Sequence, residues 1–339
     1  MRKRLSKLFG HYRVEAVRII PYRSYGSGTE LYIKGRVLDN RPLEYHEGQT
    51  WWQSMRNALR QFDTHEIPGL KVILTIGDHR LETLTDAKGY FLFDLVLPNN
   101  ISHFSDHEGW VPFSIFSEAT ATAAESAVFT GEFLIPDPDA DYGIISDIDD
   151  TILNTGVTSF LKWKVIRNSL FVNAFRRIPL KDAPQLYRKL HKGVLNKEKN
   201  PVFYLSNSPW NMYRYLELFL DHNGFPKGPI LLRSFGSIFR RATAAEKPHK
   251  QKEIINLLEN YPSMKFVLIG DSGEHDASIY TDIAVQFPDR ILCIYLRSVP
   301  HRRRMRHVRS IVDNFRQVPV LMVGESSEAE KHAAMIGLI

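Results

Sequence analysis

The sequence predicts a chain of two parts, a β-sheet region followed by an α/β domain built on a parallel sheet. Its 339 residues exceed one average domain. The first part, from about 28 to 135, carries alternating apolar and polar residues with the period of β-strands. After residue 142, short continuous apolar runs alternate with helix-like segments, which is typical of a parallel sheet that helices cover on both faces.

The first part contains three strand regions, TELYIKGRVLD, KVILTIGDHRLETLTDAKGYFLFDLVLP and SAVFTGEFLIP, the second of them broken at turn residues. We interpret 28–136 as a small β-sandwich accessory domain that follows a basic segment, 1–27. The pattern Thr-Asp-X-X-Gly-Tyr-Phe at 85–91 resembles transthyretin-type or carboxypeptidase-regulatory-like sandwiches. One short helix is expected to pack on this sheet, because four apolar residues follow one another at helical spacing: Trp51, Met55, Leu59 and Phe62.

Composition limits the compartment and the partners. No apolar run approaches the roughly 20 residues that span a bilayer, so no transmembrane segment is expected. The single cysteine, Cys293, favours a reducing, cytoplasmic setting. The net charge is +6, and basic residues cluster at 2–7 and 302–306. Such clusters favour anionic partners, although a solvated basic face is the simpler interpretation of each cluster taken alone.

Polar residues follow the predicted strands of the second part, beyond a proline- and aspartate-rich linker at 135–143. Each of these residues could be a helix cap, but their joint occurrence in this order favours a catalytic site. Because ligands bind at the carboxyl ends of parallel strands, we expect these side chains to meet at one edge of the sheet. The set comprises Asp147, Asp149 and Thr151 after YGII, Ser206 and Asn207 after PVFYL, Asp271 and Asp276 after KFVLIG, and Lys250 in the preceding helix.

This order of residue types suits phosphoryl transfer through an aspartyl phosphate. One carboxylate can attack phosphorus, and a second carboxylate two residues on lies on the same side of an extended segment and can act as acid, then base. An anionic substrate also needs a hard cation such as Mg²⁺ and a lysine. Asp150 points to the other side of the segment and is interpreted as structural.

Four sequence motifs carry a resemblance to a known superfamily. Asp-X-Asp-X-Thr at 147–151, the serine after the second strand, the downstream lysine and Gly-Asp-X-X-X-X-Asp at 270–276 resemble the motifs of haloacid-dehalogenase-like phosphatases. More narrowly, SDIDDTI, FYLSNSPWNMY, FVLIGDSGEHDASIYTDIA and EKHAAMIGLI are similar to the phosphatidate phosphatase family whose yeast member is linked to actin patches. The resemblance covers 142–339, the predicted catalytic domain, and implies a Rossmann-like sheet of the haloacid-dehalogenase type.

The resemblance also implies a role for each site residue. Asp147 would be the nucleophile and Asp149 the acid and base. Ser206 and the Asn207 backbone would hold the phosphoryl group, while Thr151 would brace the loop beside the substrate. Lys250 would neutralise charge around Asp147, with Lys247 and Lys252 as nearby alternatives. Mg²⁺ would be bound by four residues: Asp147, Asp149 through its carbonyl, Asp271 and Asp276.

The activity implied is Mg²⁺-dependent hydrolysis of phosphatidate to diacylglycerol. The intervals from Thr151 to Pro201 and from Ser206 to Lys250 are too short for a large cap domain, so an open site is expected. The basic apolar segment 158–180 can lie at a membrane interface or pack on the sheet, and both interpretations stay open. The basic loop 234–247 can likewise contact a membrane or be a plain surface loop.

Two alternatives remain from the sequence. A phosphatase of the same mechanism could act on a soluble ester, a nucleic-acid end or a phosphoprotein, and the chain could instead be a non-catalytic binding protein. We expect phosphatidate or another phosphomonoester as the partner, with peripheral contact to an anionic membrane surface and no nucleic-acid partner.

Overall fold

The computed structural model describes eight parts of the chain: residues 17–39, 66–117, 127–148, 152, 182–233, 247–272, 275–298 and 302–339. Two compact units, residues 1–135 and 136–339, make up the chain. The helix expected around Trp51 to Phe62 and the segment 158–180 lie outside the described residues, as does the loop 234–246.

The first unit is a mixed sheet of eight strands within the described residues. Its order is β1-β3-β2-β8-β7-β4-β5, and β6 pairs with the other edge of β3. Only the β2–β8 pair is parallel. The strands are β1 (Val17–Pro21), β2 (Ser24–Gly26), β3 (Glu30–Asp39), β4 (Lys71–Ile76), β5 (His79–Leu84), β6 (Tyr90–Val96), β7 (Trp110–Phe116) and β8 (Phe129–Leu134).

One core lies on the inner side of this sheet. Because side chains alternate along a strand, each of the longer strands contributes residues to it at every second position. Fully buried members include Ile33, Leu74, Phe91, Val111 and Phe133. A β-rich first part is therefore confirmed, while its division into the segments 1–27 and 28–136 stays a prediction.

Two turns of the sheet are built in the same way. At DAKGY, Asp86 Oδ1 accepts hydrogen bonds from the N–H groups of Lys88 at 2.8 Å and Tyr90 at 2.9 Å. DHEGW repeats this arrangement, with the carboxylate of Asp106 accepting from Glu108 and Trp110. The glycine of each turn has a positive φ, 72° and 85°, which only glycine adopts without strain. The first turn lies in the segment that resembles transthyretin-type sandwiches. Both turns have the pattern Asp-X-X-Gly followed by an aromatic residue, so this pattern forms the same turn twice in the sheet.

The second unit is an α/β fold. The short apolar runs after residue 142 form strands, as predicted, and six of them lie among the described residues. The strands are β9 (Gly143–Asp147), β10 (Val202–Pro209), β11 (Ile230–Arg233), β12 (Phe266–Asp271), β13 (Ile291–Arg297) and β14 (Val320–Val323). The described helices are α1 (Ala183–Lys192), α2 (Tyr213–His222), α3 (His249–Asn260), α4 (Asp276–Gln286), α5 (Arg302–Asn314) and α6 (Ser326–Met335).

All six strands of this unit are parallel, in the order β11-β10-β9-β12-β13-β14. Every residue of β9 and β12 is buried, as expected for a parallel sheet that is covered on both faces. The predicted Rossmann-like α/β class is therefore confirmed. The chain leaves central β9 for β10 and β11 on one side and later adds β12 to β14 on the other, so the switch point of the topology lies at β9.

Candidate active site

The carboxyl ends of β9, β10 and β12 bring the predicted polar residues to one edge of the sheet. Asp147 is the last residue of β9 and is paired with Leu205, which directly precedes Ser206. Asp271 is the last residue of β12, whose Ile269 pairs with Ser146. The side chains of Asp147, Ser206 and Asp271 are fully buried. The strand register therefore assembles these three residues, as the sequence pattern predicts.

Lys250 supplies a cation inside this site. It is the second residue of α3 and is 1% exposed. Its Nζ lies 2.8 Å from Asp147 Oδ1 and donates a hydrogen bond of 2.7 Å to Asp276 Oδ1. Lys247 and Lys252, the two alternatives from the sequence, are exposed. Lys250 is therefore the lysine of the site.

Asp276 is held by two protein donors. Its Oδ1 accepts from Lys250, and its Oδ2 accepts the backbone N–H of Asp271 at 3.2 Å. This approach needs glycine at position 270, because a Cβ there would lie 2.6 Å from Asp276 Oδ2. Tyr280 lies nearby, and burial together with the Asp276 carboxylate raises the pKa of its hydroxyl. Asp276 therefore orients Lys250, and its role as a metal ligand stays a prediction.

Ser206 lies where β10 becomes irregular. The pairing of β10 with β11 shifts between Ser206 and Pro209, and Ser206 Oγ accepts the N–H of Ser208 at 2.9 Å. Asn207 and Ser208 are only half-buried, unlike the residues before them. The irregularity coincides with the two partly exposed residues at this end of the strand, and their role in binding a phosphoryl group stays a prediction.

Tyr187 of α1 contacts the end of β9, a contact that the sequence analysis missed. Its hydroxyl bonds to Ser146 Oγ, which donates to the carbonyl oxygen of Asp147 at 2.9 Å. Since a serine hydroxyl has one hydrogen, Tyr187 must be the donor to Ser146. Burial, with a smaller effect of the Asp147 charge, raises the pKa of Tyr187 and keeps it protonated for this role. Nothing near Tyr187 in the sequence signals this contact.

The buried charges of the site suit a hard cation. Three buried carboxylates, those of Asp147, Asp271 and Asp276, accompany the single ammonium of Lys250. Buried charges are costly unless they are compensated, and oxygen donors are the ligands that Mg²⁺ prefers. In the described part of the chain no three acidic, histidine or cysteine side chains converge as a complete metal site. The donors that are described nonetheless fit the metal that the sequence predicts.

Two predicted site residues, Asp149 and Thr151, lie outside the described residues, and so does Asp150. Their roles as acid and base, metal ligand through a carbonyl, and loop brace stay predictions. The described site therefore consists of Asp147, Ser206, Lys250, Asp271 and Asp276, with Asn207 at its edge.

Fold and site together define a Rossmann-like α/β domain with a buried carboxylate–lysine centre at its switch point. Comparison with known families gives a narrower assignment, since residues 142–298 match the model "Phosphatidate phosphatase APP1, catalytic domain". This part of the chain is therefore similar to the APP1-type phosphatidate phosphatase catalytic domain, and the predicted resemblance is confirmed.

Two relatives extend the comparison. Phosphatidate phosphatase APP1 of Saccharomyces cerevisiae is 40% identical over 156 residues, which cover 46% of this chain and 25% of that protein. An uncharacterized protein of Schizosaccharomyces pombe is 28% identical over 216 residues, or 63% of this chain and 34% of that protein. The chain thus spans a quarter to a third of the length of these relatives. A solved glycosylation-associated protein complex from Streptococcus agalactiae covers 95% of this chain and 96% of its own at 12% identity, but its TM-score of 0.23 carries no argument.

Replacing the buried lysine tests its position as the counter-charge of the site. We expect Lys250→Met to lower the free energy of unfolding by about 3 to 5 kcal/mol, because it leaves buried carboxylates without their cation. Urea unfolding followed by circular dichroism measures the change. The matched control is Lys252→Met, an exposed position of the same helix, where the loss should stay below about 1 kcal/mol. Equal losses in the two variants would contradict the assignment.

Proposed function

We propose that this chain is a Mg²⁺-dependent phosphatase that hydrolyses phosphatidate to diacylglycerol through an aspartyl-phosphate intermediate. The observation that carries the proposal is the buried Lys250 ammonium, which lies 2.8 Å from Asp147 and 2.7 Å from Asp276 in a domain similar to the APP1-type catalytic domain. The class of substrate rests on that similarity, and the chemistry rests on the arrangement of charges.

Asp147 is the nucleophile in this proposal. The Lys250 ammonium beside Oδ1 stabilises the ionised carboxylate, which is the form that attacks phosphorus. A bond forms between an Asp147 oxygen and phosphorus while the bond from phosphorus to the ester oxygen of the lipid breaks. Asp276 keeps the ammonium in place during this step, because Asp276 is itself fixed by the Asp271 N–H.

Asp149 is proposed to move the protons. In the first step it gives its proton to the departing ester oxygen, so that diacylglycerol leaves as a neutral alcohol. In the second step it takes a proton from water, whose oxygen attacks phosphorus. The bond between Asp147 and phosphorus then breaks, inorganic phosphate leaves, and both carboxylates return to their starting states.

The irregular end of β10 is proposed to hold the phosphoryl oxygens. Ser206 can donate its hydroxyl hydrogen, and the half-buried Asn207 can donate its backbone N–H. Bound Mg²⁺ would be held by Asp147, Asp271 and the Asp149 carbonyl, and it would neutralise charge on the phosphoryl oxygens. Thr151 would brace the loop that carries Asp149.

Tyr187 is proposed as a positioning residue for the nucleophile. It reaches Asp147 only through Ser146 and the Asp147 carbonyl oxygen, so it touches neither substrate nor metal. The two hydrogen bonds fix the point where the chain leaves β9 and enters the loop that bears Asp149. Loss of the tyrosine hydroxyl should therefore affect the chemical step more than substrate binding.

A phosphatidate substrate places few demands on the protein beyond recognition of a phosphomonoester at an interface. No helix in the described part of the chain is long and apolar enough to cross a membrane. In this proposal the lipid is reached from the membrane surface. The open alternatives, a soluble ester, a phosphoprotein or a nucleic-acid end, share the same chemistry and differ only in the leaving group.

Removal of the proposed nucleophile is the direct test of the activity. We expect Asp147→Asn to lower phosphate release from phosphatidate micelles and from an aryl phosphate by at least about 1,000-fold, because an amide cannot attack phosphorus at a useful rate. Asp282→Asn, an exposed position of α4, should retain wild-type turnover. Circular dichroism of each variant establishes that it is folded.

The outcomes separate the parts of the proposal. Unchanged turnover in Asp147→Asn would eliminate this residue as nucleophile. Turnover of soluble esters, a phosphopeptide or a DNA 3′-phosphate without turnover of phosphatidate would eliminate the lipid substrate and leave the chemistry standing.

Substitution of the positioning residue tests the contact between α1 and β9. We expect Tyr187→Phe to lower kcat by about 3- to 10-fold with little change in KM, since one hydrogen bond contributes about 1 kcal/mol. The matched control is Tyr142→Phe, which loses a similar buried hydrogen bond from its hydroxyl to the Leu190 and Leu338 carbonyl oxygens but lies before the amino end of β9. Both variants should lose similar stability in urea, and only Tyr187→Phe should lose kcat. Equal kcat values would assign Tyr187 a purely structural role.

A further inference from the structure

Helix α5 begins at the same edge of the sheet as the site. Arg297, the last residue of β13, pairs with Asp271, and α5 starts at Arg302 a few residues later. The hydroxyl of Ser272, the residue after Asp271, lies 3.2 Å from the sulfur of Met305. Met305 of α5 therefore contacts the residue that directly follows Asp271.

The first two turns of α5 are strongly basic. The segment HRRRMRHVR at 301–309 contains five arginines and two histidines, and the first acidic residue after it is Asp313. Arg306 and Arg309 are exposed, and neither forms an ion pair with another described residue. This α5 basic surface, defined as Arg306 and Arg309, thus presents exposed positive charge beside the site.

The basic surface lies on an element that is fixed to the sheet. Val308 is 2% exposed and Met305 is half-buried, so the opposite side of α5 is packed inside the unit. Arg297, which pairs with Asp271 across the sheet, is half-buried and lines a cavity with Tyr187 of α1 and Ser326 of α6. It is therefore not counted in the exposed surface of α5.

We propose that the α5 basic surface docks the protein on an anionic lipid membrane. This inference rests on the proposed function, because a phosphatase that takes lipid from a membrane must turn its catalytic edge to the membrane surface. The position of the α5 basic surface at that edge would serve this orientation. Basic residues near an anionic leaflet each strengthen binding by about 5-fold. The family match ends at residue 298, so nothing in the comparison assigns a role to α5.

Nucleic acid is the other polyanion that such a surface could bind. The 301–314 segment contains no tryptophan, tyrosine or phenylalanine, the side chains on which proteins stack unpaired bases. Met305 contacts Ser272, so α5 lies beside the proposed site. Docking of α5 on a membrane would bring that site to a lipid substrate, whereas docking on nucleic acid would not. We therefore commit to a lipid surface and make nucleic-acid binding an outcome of the test.

The experiment is flotation of the full chain with two kinds of vesicle, phosphatidylcholine alone and phosphatidylcholine with about one quarter phosphatidylserine. We expect binding to the anionic vesicles only, reduced by added salt. Arg306→Gln/Arg309→Gln should bind about 30-fold more weakly, since it removes two charges from the surface. The matched control is Lys265→Gln/Arg316→Gln, which removes two exposed charges from the segments that precede β12 and β14, at the amino ends of those strands.

The same variants are then assayed on two substrates. We expect Arg306→Gln/Arg309→Gln to lose turnover of phosphatidate in anionic vesicles and to keep wild-type turnover of a soluble aryl phosphate, which also establishes that it is folded. The control variant should resemble wild type in both assays.

Three results would overturn the inference: equal vesicle binding by wild type and Arg306→Gln/Arg309→Gln, equal weakening in the control variant, or binding of wild type to a DNA duplex but not to anionic vesicles. Because vesicle binding is measured without turnover, it can succeed even when phosphatidate is not hydrolysed. Binding to anionic vesicles without hydrolysis of phosphatidate would count against the proposed function and leave membrane docking standing.

Discussion

The contact on which the site depends is the buried ammonium of Lys250 between the carboxylates of Asp147 and Asp276. An isolated charge in such an environment would cost several kcal/mol, so each partner requires the others. The contact joins three separate elements, the end of β9, the first turn of α3 and the start of α4. It therefore fixes the geometry of the site as well as its charge.

The sheet topology explains why these elements meet. Because β9 lies at the centre and the chain adds strands on both sides of it, the switch point of the topology, where open α/β sheets bind ligands, lies at the carboxyl end of β9. Gly270 allows Asp276 to approach the backbone of β12, and the bonds from Tyr187 through Ser146 hold the end of β9. α5, which carries the exposed Arg306 and Arg309, begins at the same edge. Catalysis and membrane docking are thus proposed for one side of the sheet.

Much of this arrangement could be predicted from the sequence. Parallel strands buried on both faces appear as continuous apolar runs, so all six strands of the second unit and the polar residues at their ends were recognisable. The spacing of Lys250 already favoured it over Lys252, and the structure adds that Lys250 is buried between two carboxylates while Lys252 is exposed. Tyr187 could not be found, since its contact with Ser146 joins residues far apart in sequence. The DHEGW turn could have been found by its likeness to DAKGY.

The covalent intermediate tests the central claim most directly. The protein is mixed with phosphatidate or an aryl phosphate and Mg²⁺, quenched in acid within the first turnover, and digested for peptide mass spectrometry. The account predicts one phosphoryl group on the peptide that contains Asp147, and none in Asp147→Asn. A phosphoryl group on a different residue, or steady phosphate release without any modification of Asp147, would contradict it.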